Sequence, residues 1–160
     1  MGHNWKQDKR KNIIIVGTVV FISILVVTLV IFLTKKPKFP KDLGLTIHNN
    51  DYYLEIAQND KERKKGLSDR NKLCSNCGML FIFDKEKEQG IWMKDTHIPL
   101  DIIWLNSQKQ IIKIITAAQT ESETIYLSQK PAKYVIELPA NESLKLNLQI
   151  GDTIPFFDDE

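Results

Sequence analysis

The chain has 160 residues, of which 42% are hydrophobic and 26% charged, with a formal net charge of +2. That length allows one domain with its own core once any membrane segment is set aside. The charge balance excludes a nucleic-acid face, because the basic residues form no large stripe and no aromatics are interleaved with them.

Residues 1–12 form a short basic tail with Lys6, Lys9, Arg10 and Lys11. From Ile13 to Thr34 no charged residue occurs, and apolar residues dominate. About 20 such residues at 1.5 Å rise span the roughly 30 Å hydrocarbon core. The run therefore predicts a single transmembrane helix over 13–34, with the lipid bilayer as its partner. A core helix would show a polar face, and a cleaved signal peptide would show a shorter run and a small-x-small site; neither is present. Lys35, Lys36, Lys38 and Lys41 follow the run, so the flanking positive charges tie. A short basic N-terminus before a first apolar helix nevertheless fits an uncleaved signal anchor. It predicts a single-pass protein of the cell membrane with its domain outside the cytoplasm.

Residues 35–44 contain Pro37 and Pro40 and read as a short stiff spacer. The span 45–157 then breaks into short apolar runs separated by turn residues. Leu45 to Ile47 and Tyr52 to Ile56 flank a hairpin turn at His48 to Asp51. Asn59 and Glu62 have capping-box spacing, and Gly66 can end the short polar helix between them. Strand-like runs follow at 80–83, 91–93, 102–105, 111–115 and 134–138. Residues 106–110 join two of these as a hairpin. Asn141 is placed to cap a second short helix through Leu146, and a last short strand is expected over 153–156. Many short strands with little helix argue for a β-sandwich or barrel.

Five blocks in this span resemble the DUF192 family, also called UPF0127. They are Glu62 to Leu67, Gly78 to Phe81, Trp92 to Thr96, Ile98 to Asp101, and Tyr134 to Pro139. The resemblance runs from about Tyr53 to Phe156. It implies a mainly β, compact, jelly-roll-like domain and supplies no activity. The chain departs from the family's usual pattern at Cys74-Ser75-Asn76-Cys77, so cysteine chemistry here is a local addition.

Cys74 and Cys77 are the chain's two cysteines. Their spacing suits a small disulfide loop, a redox motif or half of a metal site. A redox motif needs a helix start in a βαβ setting, and a zinc site needs about four ligands. A structural disulfide is the simplest outcome outside the cytoplasm. Met79 and Met93 could join a soft copper site, but their apolar strand setting favours core filling. No metal site and no cofactor is therefore assigned.

The candidate functional face gathers Trp92, Lys94, Asp95, Thr96, His97 and Asp101, with the loop from Gln119 to Ser128 beside it. Trp92 can stack on a flat apolar surface, Lys94 can bind an anion, and Asp95 or Thr96 can hydrogen-bond a ligand. His97 and Asp101 could form a base and its orienting carboxylate. Thr, Asp and Pro are equally the residues of a tight turn, and Asp101 could cap backbone groups instead. The leading expectation is a membrane-anchored extracytoplasmic binding or accessory module with an envelope ligand or protein partner. One rival is a hydrolase or transferase acting on an envelope component through Asp101 and His97. The other is a redox or metal protein built on Cys74 and Cys77.

Overall fold

A computed structural model of the protein describes residues 21–28 and 42–156. Residues 21–28 are helical (α1), and every one of them is exposed. Thr28, in this helix, turns its hydroxyl back to the carbonyls of Ile24 and Leu25. Most of the expected span 13–34 and of the spacer 35–44 lies outside the described residues. Among the described residues no helix is long and apolar enough to cross a membrane.

The second unit begins with β1 (Asp42–Ile47) and β2 (Asn50–Ala57), paired antiparallel through a turn at His48 and Asn49. Both turn residues have positive φ, 45° and 65°, the backbone twist that a two-residue hairpin favours. Helix α2 (Asp60–Lys65) starts at the expected capping box. The Asn59 side chain accepts from the Glu62 N–H, and Glu62 reaches back to the Asn59 N–H. Gly66 closes the helix at φ 47°, where a side chain would be strained. None of the helix residues is buried, consistent with their polarity.

The chain then enters β3 (Cys77–Lys87), which pairs parallel with β2. The segment through α2 is the crossover that this parallel pairing needs. Next come β4 (Gly90–Ile91), β5 (Leu100–Leu105), β6 (Ile111–Ala118), β7 (Tyr126–Leu127) and β8 (Ala132–Pro139). A short helix α3 (Glu142–Lys145) follows. Residues 153–156 contribute one isolated bridge, Thr153 to Gln110, rather than a strand.

The architecture is mainly β, with one six-stranded mixed sheet in the order β1-β2-β3-β8-β5-β6 and a separate ribbon of β4 and β7. This bears out the mainly β expectation and corrects the expected closed barrel. The edge strands β1 and β6 do not pair, so the sheet is open. Continuous apolar runs arise because both faces of this sheet are covered, one of them in part by the β4–β7 ribbon, whose Ile91 and Tyr126 pack in the second cluster. Alternate residues of a strand feed the two faces. Ile103 and Leu105 of β5 join Leu54, Leu80, Ile136, Leu146 and Phe156 in one cluster. Leu100, Ile102 and Trp104 join Leu67, Met79, Phe81, Met93 and Val135 in the other. Close approach of β3 and β8 explains one glycine. A Cβ at Gly78 would lie 2.3 Å from the Glu137 carbonyl oxygen.

Candidate functional site

The central strand β8 carries a residue that apolar strands rarely hold. Glu137 is only 4% exposed. Its lateral neighbours on the sheet are Met79 of β3 and Ile102 of β5, both apolar. Its carboxyl therefore points to the second cluster's face, and among the described residues it forms no ion pair. Burial alone pushes it up to about 8 from an ordinary value of 4.5. At neutral pH it is mostly the uncharged acid.

Above Glu137 lies a cavity of about 240 Å³. Its walls are Leu67, Phe81, Phe83, Ile91 and Trp92, with Gly66 and Gly90 where backbone comes close. Ser68, Thr96 and Glu137 supply its inner polar groups, and Arg63, Lys64 and Lys65 its α2 side. The Arg63 guanidinium is fixed there. It donates to the carbonyls of Gln58 and Ile82 and stands 5.3 Å over the Phe83 ring. A second hollow shares Lys64, Lys65, Ser68 and Trp92 and continues to Lys94 and Asp95. Trp92, 42% exposed, belongs to both.

The structure brings together most of the face expected from sequence. Of the run 91–93 only Ile91 is strand, in β4 with Gly90, and the chain beyond it turns tightly. Asp95 adopts a left-handed φ of 54°, and its carbonyl accepts the Asp69 N–H. The loop from Gln119 to Ser128 is stitched alongside. Met93 N–H donates to the Ser122 carbonyl and Glu121 N–H to the Thr96 carbonyl. Lys94 pairs with Glu123 at 3.2 Å and caps the Trp92 ring at 5.8 Å. His97 Nδ1 lies 3.2 Å from Glu121 Oε1. Thr96 is buried, whereas Trp92, Asp95 and His97 are exposed.

Asp101 does not join this group. It is fully buried, and four donors occupy its oxygens. Ala117 N–H and Asn141 N–H donate to Oδ1 at 2.8 and 2.9 Å. Ser143 N–H and its hydroxyl donate to Oδ2 at 2.7 and 2.6 Å. Asn141, at φ 71°, makes no side-chain cap to α3, so Asp101 does that work from β5. It also pins the β6 bulge at Ala117, whose φ is 50°. His97 and Asp101 thus serve different partners and form no base–carboxylate pair.

Cys74 and Cys77 are joined in a disulfide with Cα atoms 5.1 Å apart. The bridge closes the loop leading into β3, where the Asn76 carbonyl accepts the Tyr53 N–H. Met79 and Met93 are buried in the second cluster. Among the described residues no group of three or more His, Cys, Asp or Glu comes together as a metal cluster. The residue that sequence reasoning did not single out is Glu137. Its signal was one carboxylate inside the apolar run Tyr134 to Leu138, a position where carboxylates are almost never fully buried unless paired.

Residues 44–156 match the model of the family described as DUF192, uncharacterized ACR. A UPF0127 protein of Pyrococcus abyssi is 30% identical over 106 residues, which cover 63% of this chain and 83% of the relative. Among solved structures, a "putative transcription regulator" of Sinorhizobium meliloti superposes with a TM-score of 0.68 at 30% identity. That match covers 76% of this chain and 97% of the other. A protein of unknown function from Novosphingobium aromaticivorans gives a TM-score of 0.65 at 24% identity, covering 77% and 94%. This last likeness concerns the fold alone.

Proposed function

The chain belongs to the DUF192 family, and from that premise we propose that its domain is a small-molecule binding module whose site is the cavity above Glu137. One observation carries this reading: a buried carboxyl with no partner faces a cavity with aromatic walls. Few convergent polar groups in an otherwise apolar hollow are what ligand sites share. Carboxyls shifted by burial beside a cavity are the kind of group that functional sites gather. The volume suits a small molecule, since a cavity of about 150 Å³ already holds benzene.

We further propose that the apolar run of residues 13–34 holds the domain at the cell membrane, facing away from the cytoplasm. The uncharged run supports the tether, and so does the exposure of Phe21, Ile22, Ile24 and Leu25 in α1. A helix apolar on all sides calls for an apolar surrounding. The Cys74–Cys77 bridge suits an oxidising compartment. Labelling intact cells with a membrane-impermeant thiol reagent tests this placement. Both cysteines are expected to react only after an impermeant reductant is added. Reaction only after lysis would place the domain in the cytoplasm.

Binding is tested by thermal unfolding of the full chain against a panel of small amines, acids and alcohols with aromatic or branched bodies. At least one is expected to raise Tm in a saturable way. Trp92→Ala removes the ring at the cavity mouth and is expected to weaken that ligand by about tenfold, the scale of one lost aromatic contact. A panel without effect, or an effect unchanged in both Trp92→Ala and Glu137→Gln, would remove the cavity as the site.

A further inference from the structure

The inner surface of the cavity has a hydrogen-bonding polarity that narrows its ligand. The hydroxyls of Ser68 and Thr96 both donate to one acceptor, the Lys94 carbonyl, each at 3.2 Å. Their hydrogens are thereby used, and what each hydroxyl still offers is lone pairs. Glu137, as the neutral acid, adds a carbonyl oxygen and one O–H, and among the described residues no group hydrogen-bonds to either. The interior therefore presents acceptors. An ammonium has three donors and no acceptor, so it fits such a surface, and beside it Glu137 ionises and passes its proton to solvent, whereas a carboxylate finds only one acid proton there.

The walls agree with this. Phe81, Phe83 and Trp92 offer aromatic surface, and aromatic faces attract cations. The α2 side has the opposite character. Arg63, Lys64 and Lys65 all border the cavity. Arg63 pairs with Asp60 and Lys65 with Asp69, while Lys64 has no ion pair among the described residues. A bare cation would have to sit beside these three charges, and a ligand with its own anionic end would gain from them. Among the described residues no other titratable group lines the cavity.

We propose that the cavity takes a small zwitterion of the amino-acid type, with its ammonium at Glu137, Ser68 and Thr96 and its anionic end toward Lys64. The apolar body lies between Phe81, Phe83 and Trp92. This assignment rests on the cavity being the binding site and names the class of molecule that it selects.

The test uses four probes that share an aromatic body: L-phenylalanine, phenethylamine, 3-phenylpropionate and the neutral indole. Each is titrated into the isotope-labelled full chain in lipid nanodiscs, and the amides of Ser68 and Thr96 and the indole N–H of Trp92 are followed by NMR. L-phenylalanine is expected to bind at least tenfold tighter than the other three. Glu137→Gln should weaken it by at least tenfold, and Lys64→Gln by a smaller factor while leaving phenethylamine unchanged or tighter. Tighter binding of 3-phenylpropionate or indole would overturn the zwitterion and leave the cavity as a binding site. If none of the four moves any of these resonances, the zwitterion and the cavity reading fall together.

Discussion

Replacing Asp101 with alanine is expected to destabilise the domain by roughly 3–5 kcal/mol. The carboxylate is the shared acceptor for Ala117, Asn141 and Ser143, three backbone N–H groups from two segments far apart in the chain. Alanine leaves those donors, and the Ser143 hydroxyl, in a site from which water is excluded. A buried donor without a partner costs about 1–3 kcal/mol, partly recovered where a water can enter. Ala117 and Asn141 also hold left-handed backbone at these bonds. Tm should fall by roughly 10–20 °C for a domain of this size. Asp101→Asn keeps one acceptor oxygen but turns an NH₂ toward N–H donors, so an intermediate loss is expected. A loss under about 1 kcal/mol for alanine would show that the four bonds are not what holds β5, the β6 bulge and α3 together. If instead Asp101→Asn kept its stability and abolished an activity, the acid–base reading of this residue would return.

The second large effect is expected at Glu137, and its sign depends on pH. Burial raises this carboxyl to about 8 in the fold, against about 4.5 in the unfolded chain. The unfolded state thus loses its proton first. The stability linked to the protonated acid is fully present below about 4.5, declines as pH rises, and is gone above about 8. At 1.36 kcal/mol for each unit, the window is worth on the order of 5 kcal/mol, a large fraction of a typical domain's stability. Glu137→Gln has no charge to form, so its advantage over the parent should grow through the same window. Near pH 5 the two should be similar, and near pH 9 the glutamine variant should be more stable by several kcal/mol.

Other carboxylates slope the opposite way. Glu55 is held below its ordinary value, chiefly by its hydrogen bonds to Arg70. Its contribution is present above about 4.5 and lost as pH falls through its lowered value. The difference between parent and Glu137→Gln cancels such groups. Chemical unfolding at pH 5, 7 and 9 measures it, and parallel curves would mean that Glu137 is not an uncompensated buried acid.

Much of the fold was legible because it is written in local chemistry. The His48-Asn49 turn, the Asn59–Glu62 capping box and the Gly66 stop each depend on residues within a few positions of one another. The apolar runs in β5 and β8 marked strands but not their partners. Whether apolar runs come from two facing sheets or from one sheet covered twice depends on segments such as 146–156, whose own pattern is short. The parallel pairing of β2 with β3 was equally hidden, because α2 is too brief and polar to resemble a crossover helix. For the site, sequence proximity favoured the polar cluster of residues 92–101. The structure does gather Trp92, Lys94, Thr96 and His97 with the 119–128 loop, yet it sends Asp101 to α3. Glu137 lies some forty positions on, and only the register Met79–Glu137–Ile102 shows that its carboxyl has apolar neighbours on both sides.

The most direct test of Glu137 as an unpartnered buried acid above a ligand cavity is its own titration. The side-chain carboxyl ¹³C shift of Glu137, assigned by its loss in Glu137→Gln, is followed from pH 4 to 10 in the full chain. A midpoint near 8 is expected. A midpoint near 4.5 would mean that water or a nearby cation solvates the carboxyl, and the cavity would lose the one feature that marks it as a site.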